Sequence, residues 1–322
     1  MKPFRILTAH EWGLLAVATI LFGICAYTVE GFLFYDGELD TWAMWDRSRH
    51  LVEIGLIAIP MTYIICTGGI DLSVGSLMIL SAMAMGVAFR DWGWSLWAAV
   101  PFSILVGAVA GGFNGWLGSY LAIAPLVVTL ATRALYRGLA LGISQADPVS
   151  SFPTEFVMIS EHSWGLVPYT FILMVVLILV GHLFFRKSWI GRYTVAIGTN
   201  ENAADFAAIP TKAIKFGLYT FSGVMCGIAA PIYVARFATA NPEHASMLEL
   251  DVIAAVVVGG TRITGGSGSV LGTGLGLLIV GMLRFALDLK AVSQQHQTIL
   301  MGLVVIVMAV LNEWTTRRAR TG

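Results

Sequence analysis

Runs of about 20 mainly apolar residues recur along the whole chain, separated by short polar stretches. A helix of that length crosses the hydrocarbon of a bilayer, and irregular chain is excluded there because backbone groups without partners are too costly. By length, the spans fall near 12–34, 51–67, 71–89, 94–118, 124–143, 167–185, 216–237, 250–262, 268–286 and 294–312, the eighth being too short for an ordinary span. The fold expected is all-α: a polytopic membrane protein of about ten transmembrane helices, some short or discontinuous. Composition excludes the soluble alternative, since 12 % charged residues against 57 % apolar ones cannot cover a soluble surface.

Lys2 and Arg5 precede the first apolar run as in a signal peptide, but no small-residue cleavage site follows and the run is long enough to span, so a retained first helix is expected. The main non-membrane stretch lies near 186–215 and is too small to fold independently. The chain therefore reads as one transmembrane domain, 1–322, with no catalytic or nucleotide-binding domain attached. Lys and Arg are retained on the cytoplasmic side of short loops. Lys2 and Arg5, the central Arg186, Lys187, Arg192, Lys212 and Lys215, and Arg317, Arg318 and Arg320 satisfy that rule together if both termini are cytoplasmic. The stretch from Gln145 to Trp164, which has Asp147, Glu155 and Glu161 but no Lys or Arg, then faces outward.

Nineteen basic residues balance nineteen acidic ones, so no net field points to nucleic acid. Cys25, Cys66 and Cys226 sit in apolar runs without C-x-x-C spacing and read as small buried hydrophobes. His10-Glu11 lacks the second histidine of a zincin helix, and His50, His162, His182, His244 and His296 have no ligand spacing, so neither metal nor cofactor is expected. His162 and His244 read as solvated loop residues.

Two glycine-rich interruptions carry the chemistry. In Thr67-Gly68-Gly69-Ile70-Asp71-Leu72-Ser73-Val74-Gly75, paired glycines break one apolar helix and open another. Asp71 has two readings, a cap on the second helix or a group lining a pathway, because a broken helix persists in a membrane only where protein or a watery cavity satisfies its backbone. The second interruption, Gly259-Gly260-Thr261-Arg262-Ile263-Thr264-Gly265-Gly266-Ser267-Gly268-Ser269, lacks the Gly-Lys-Ser/Thr ending and strand context of a phosphate loop. It reads as a tight turn between closely packed helices, and that reading is compatible with a gate. Short, glycine-interrupted segments in both halves suggest paired discontinuous helices.

Gly107, Gly111 and Gly115, and likewise Gly272, Gly276 and Gly281, mark helix-packing faces. Asn114, among the first set, either joins two helices or bonds a solute hydroxyl. Arg133 and Arg137 share one face of the fifth span; Arg137 is expected to snorkel, while Arg133 has no evident partner. In the central stretch, Asn200 is placed to cap a short helix carrying Ala203, Ala204 and Ala207 on a smooth face, which suits docking of a soluble partner.

Taken in order, Gly68 to Gly75, Phe113-Asn114-Gly115, Pro125 with Val128-Thr129-Leu130, Tyr136 to Ala140, Gly191-Arg192 with Gly198 and Asn200, and Gly259-Gly260-Thr261 with Gly268 to Gly272 resemble the ribose-type permease family of bacterial ABC importers. The resemblance runs from about residue 50 to 285. It implies a multi-pass inner-membrane subunit that pairs with a second permease chain, identical or paralogous. It also implies two cytoplasmic ATP-binding subunits and a periplasmic or lipid-anchored solute-binding protein. Pathway candidates are then Asp71, Ser73, Asn114, Thr129, Arg133, Gly259 and Gly260, and coupling candidates Gly191, Arg192, Gly198, Asn200, Ala203 and Ala204. Departures from the family pattern are Ala131 and Arg133 after the Thr-Leu pair, and Ala207-Ala208-Ile209 in the coupling stretch. Family solutes include ribose, other pentoses, galactosides, rhamnose and a furanosyl signal, and the sequence does not choose among them. An ion-driven carrier also suits broken helices and a buried carboxylate, but it needs no ATPase dock. A membrane enzyme would need a convergent nucleophile, base and oxyanion donors, which the sequence does not suggest.

Overall fold

In the computed structural model, which describes residues 8–35, 38–40, 45–46, 48–243 and 247–321, every long apolar run is helical. The expectations for Lys2, Arg5 and His244 lie outside the described residues. The first half holds α1 (Ala9–Thr28), α2 (His50–Cys66), α3 (Val74–Arg90), α4 (Leu96–Ser119), α5 (Pro125–Ser144) and the short α6 (Thr154–Glu161). It continues with α7 (Tyr169–Lys187), α8 (Trp189–Thr199) and α9 (Glu201–Phe206), followed by α10 (Thr211–Phe237), α11 (Leu248–Val258), α12 (Val270–Leu289) and α13 (Gln294–Thr321). Two short antiparallel hairpins, β1 (Phe34–Tyr35) with β2 (Glu38–Leu39) and β3 (Ser163–Trp164) with β4 (Val167–Pro168), connect helices.

Helices α1, α4, α5, α7, α10 and α12 are long and apolar enough to cross a membrane. Helices α2 and α3 are apolar but shorter, and α11 has only 11 residues. These are the short or discontinuous members expected from the sequence. Their brevity is tolerated because α2, α3 and α11 are buried almost throughout, so neighbouring protein rather than lipid meets their ends. Side chains such as Ile20 and Ile24 of α1, and Leu179, Val180 and Leu183 of α7, remain exposed, as an outer ring facing hydrocarbon requires.

Several boundaries differ from the hydropathy reading. Helix α1 stops at Thr28, because Gly31 turns the chain at φ +78° and the apolar residues up to Tyr35 enter a hairpin. Helix α10 starts at Thr211, within the polar stretch and directly after Pro210, before its apolar run begins. Helix α6 occupies the stretch expected to be an outward loop.

Glycines set the closest contacts. A Cβ on Gly107 or Gly111 of α4 would overlap the α10 backbone at Gly223 or Tyr219, and one on Gly276 of α12 would overlap α11 at Ala255. The first glycine face expected from sequence thus has α10 as its partner, and the second meets α11 at Gly276 and Leu51 of α2 at Gly281. The breaks between α2 and α3 and between α11 and α12 lie at the same end of the bundle, where the Gly266 amide donates to the Cys66 carbonyl at 2.9 Å. Helix α1 begins at this end too. Thr8 and Glu11 form a capping box, and the second oxygen of Glu11 accepts from Ser269 Oγ at 2.5 Å.

Candidate functional site

The first break spans residues 67–73. Thr67 closes α2 by donating its hydroxyl to the Ile64 carbonyl at 2.7 Å, and Gly68 turns the chain at φ +83°. Helix α3 begins at Val74 with Ser73, not Asp71, in the cap position. Asp71 acts from two residues further back. Its Oδ1 accepts from the Ser73 amide at 3.0 Å and the Ser73 hydroxyl at 2.6 Å, and its Oδ2 accepts from Ser222 Oγ of α10 at 3.1 Å. The carboxylate is fully buried, and no cation pairs with it among the described residues.

The network continues outward from Ser73. Asn114 of α4 donates to Ser73 Oγ at 2.8 Å. The Tyr136 hydroxyl of α5 lies 2.8 Å from Asn114 Oδ1 and 2.7 Å from the Ala110 carbonyl. Thr129 of α5 sits 3.1 Å from the Ile70 carbonyl, so its hydroxyl serves a backbone oxygen freed by the break. Asp71, Ser73, Asn114 and Thr129 are therefore brought together, all buried, in a polar chain that ties α3, α4, α5 and α10. Ser222 and Tyr136 complete it. Sequence reasoning left Ser222 unmarked, and the only signal was a hydroxyl within an apolar run.

Arg133 is not part of that chain. It pairs at 2.6 Å with Glu249 in the first turn of α11, which supplies the partner that the sequence did not reveal. Two further acids inside helices are matched in the same way. Glu53 of α2 accepts from Arg236 of α10 at 2.9 Å, and Asp251 of α11 pairs with Arg284 of α12. These pairs fasten the opposite end of the bundle from the glycine breaks, and α11 takes part in two of them.

The second break, 259–269, is folded by a hydrogen bond from the Gly265 amide to the Arg262 carbonyl and another from the Arg262 amide to the Ser267 carbonyl. Gly259 packs backbone to backbone against Gly272 of α12, and Gly260, at φ +89°, lies beneath the His10 ring. Neither glycine joins the polar network of the first break.

The central stretch meets both breaks. Ser188 caps α8 by accepting from the Gly191 amide at 3.1 Å, and Gly191 lies so close to the Phe185 carbonyl that a Cβ would overlap it. The Arg192 guanidinium donates to the Lys187 carbonyl at 3.2 Å. At the far end of α8, a Cβ on Gly198 would overlap the Cys66 carbonyl and stand 2.5 Å from the Gly266 amide nitrogen. A Cβ on Gly265 would stand 3.0 Å from the Gly68 amide nitrogen and 3.1 Å from the Cys66 and Gly198 carbonyl oxygens. Three glycine-containing backbones thus converge with no side chain between them.

Asn200 caps α9, its Oδ1 accepting from the Ala203 amide at 3.0 Å. The smooth alanine face needs correction. Ala204 is buried against the protein, whereas Ala203 and Ala207 are exposed together with Phe206, whose side chain is 93 % accessible. Ala203 and Ala204 are successive residues about 100° apart around the helix, and here one turns outward and the other inward. Phe206 was legible only as an apolar residue in a polar stretch. No group of three or more His, Cys, Asp or Glu is placed to hold a metal among the described residues, and the three cysteines are buried and free.

A family described as branched-chain amino acid transport system / permease component matches residues 49–309. The chain is 37 % identical over 278 residues to the autoinducer 2 import system permease protein LsrD of Klebsiella pneumoniae, covering 84 % of this chain and 83 % of that protein. The LsrD proteins of Photorhabdus luminescens and Salmonella typhimurium are 34 % and 31 % identical. The alignments cover 92 % and 99 % of this chain, and 88 % and 98 % of those proteins. Among solved structures, a chain of a metal-chelate type ABC transporter in an inward-facing conformation superposes with a TM-score of 0.52 at 14 % identity, over 95 % of this chain and 98 % of that one. That likeness concerns the fold.

Proposed function

This chain belongs to the family of permease components of branched-chain amino acid transport systems, and from that membership we propose that it forms the translocation pathway of an ATP-driven importer for a sugar or sugar-like small solute. It is a transport subunit of an ABC importer and not an enzyme, and it lies in the inner membrane as a multi-pass protein. ATP is hydrolysed on a separate cytoplasmic subunit that docks on the segment near 186–215. A second permease chain completes the pathway, and a periplasmic or lipid-anchored binding protein delivers the solute. Both termini are cytoplasmic in this reading, which places the end bearing the glycine breaks toward the ATPase.

The observation that carries the reading is the backbone junction of Gly198 with Cys66, Gly265 and Gly266. A docked ATPase that moves α8 and α9 pushes on both breaks at once, because Gly198 touches the Cys66 and Gly266 backbones directly. Alternating access then consists of a shift between two packings of the broken helices, biased by ATP binding and hydrolysis elsewhere. An ion-driven carrier needs no dock and so has no use for an exposed Phe206 on a capped surface helix.

Asp71, Ser73, Asn114 and Thr129 hold the first break in shape beside the pathway, and Gly259 and Gly260 do so at the second. Arg133 acts through Glu249, fixing α11 against α5. The relatives' role in autoinducer 2 import makes that furanosyl compound the first solute to test. Uptake of autoinducer 2 and of ribose is measured in host cells that lack this chain and in cells with it restored. Restored, ATP-dependent uptake of either compound supports the assignment. Uptake that instead collapses with an ion gradient while ATP is intact overturns it.

A further inference from the structure

Taking α8 as the proposed driver of both breaks, we infer that Glu11 of α1 is a positioning residue for transport. Through Ser269 it fixes the start of α12, and together with His10 it makes the first turn of α1 a clamp across the second break, so that motion entering from α8 reaches α12. A capping box needs only one oxygen of its carboxylate, and an acid in a helix's first turn ordinarily keeps contact with water. Glu11 is 1 % exposed. Its Oε2 accepts from the Thr8 amide at 2.6 Å and from the Thr8 hydroxyl at 3.0 Å, which completes the cap of α1. Its Oε1 is left for another helix and accepts from the Ser269 hydroxyl at 2.5 Å. No cation pairs with Glu11 among the described residues, so this charge-assisted bond is a main support of the buried charge.

With its proton committed to Glu11, Ser269 Oγ presents a lone pair to the Gly272 amide at 3.1 Å and so caps α12. The Leu271 amide donates to Nδ1 of the buried His182 of α7 at 3.3 Å. Two of the free amides at the start of α12 are thus satisfied, one by a hydroxyl that α1 orients and one by α7. At the other end of the break the His10 ring lies over Gly260, where any Cβ would overlap it. Consecutive residues of α1 therefore hold both ends of the turn, while Gly265 and Gly266 between them meet the backbones of Cys66 and Gly198. A displacement entering at Gly266 passes into a turn that also contains Gly265 and Gly268, whose backbones bend easily. With its ends free such a turn flexes and takes up the motion. With its ends clamped it passes the motion on to α12.

Two measurements test the clamp. Hydrogen exchange of the full chain in mild detergent, read by mass spectrometry, needs neither solute nor ATPase, so it decides on the contact even where the transported solute is another one. In Glu11→Ala the amides of residues 260–273 should exchange about tenfold faster, with those of α4 unchanged. Uptake of autoinducer 2 is then measured in host cells that carry wild type, Glu11→Ala, Ser269→Ala or both changes in place of this chain, at matched amounts in the membrane. The maximal rate should fall about tenfold in each single variant and little further in the double one, because the two residues act through one bond. The solute concentration at half-maximal rate should stay as in wild type. Exchange at 260–273 that does not respond to Glu11→Ala overturns the clamp. Faster exchange with a wild-type maximal rate, or losses that simply multiply in the double variant, overturns the positioning role and leaves an ordinary packing contact.

Discussion

A lone carboxylate inside a membrane protein is costly unless its oxygens are bonded, and Asp71 meets that cost with three hydroxyl and amide donors. Asp71→Asn keeps the shape but turns one acceptor into a donor facing hydroxyls that already donate. We expect uptake to fall by about tenfold or more, with the amount of assembled complex little changed when measured by size exclusion. Parallel loss of uptake and assembly would reduce Asp71 to a structural lock. Arg133 and Glu249 make a second prediction. Arg133→Ala removes the bonded partner of a buried glutamate; because the guanidinium is 39 % exposed and Arg137 also acts on Glu249, the cost in thermal unfolding in detergent should be about 1 kcal/mol, and replacing both residues by Met should recover most of it. A double-variant cycle without coupling would contradict the pairing. The sequence exposed Asp71 because glycines flank it. It hid Glu249, because an acid in a helix's first turn looks like an ordinary dipole partner and its mate lies more than a hundred residues away.

At the scale of elements, hydropathy found the apolar helices because hydrocarbon demands a minimum length, and it lost their ends where Gly31 and Pro210 intervene. The glycine faces on α4 and α12 were readable from spacing, but not their partners, since small-residue spacing names no mate. The short helices α8 and α9 were half legible: Asn200 announced the start of α9, yet which alanine turns inward depends on what lies beneath it. Two predictions belong here. Gly198→Ala should leave the ATPase bound but uncouple it, with uptake falling several-fold while ATP hydrolysis persists, because a methyl group must push the Cys66 and Gly266 backbones apart. Wild-type uptake per ATP would sink the junction's role. Phe206→Ala and Ala203→Trp should each weaken copurification of the ATP-binding subunit without affecting membrane insertion, the first by removing an apolar anchor and the second by obstructing its seat. Unchanged association in both would remove the docking assignment.

At the scale of the whole molecule, helices α2, α3 and α11, buried almost throughout, are enclosed by long helices whose outer faces suit lipid. One end is fastened by ion pairs, while at the other the glycine breaks meet α8 in direct backbone contact. In the proposed mechanism that asymmetry leaves one end held and the other moved. The measurement closest to this account is purification of the tagged chain from its native host in mild detergent, with mass spectrometric identification of what accompanies it. An ATP-binding subunit recovered in stoichiometric amount is the predicted result. A chain that repeatedly emerges without one, while still supporting uptake, would contradict it.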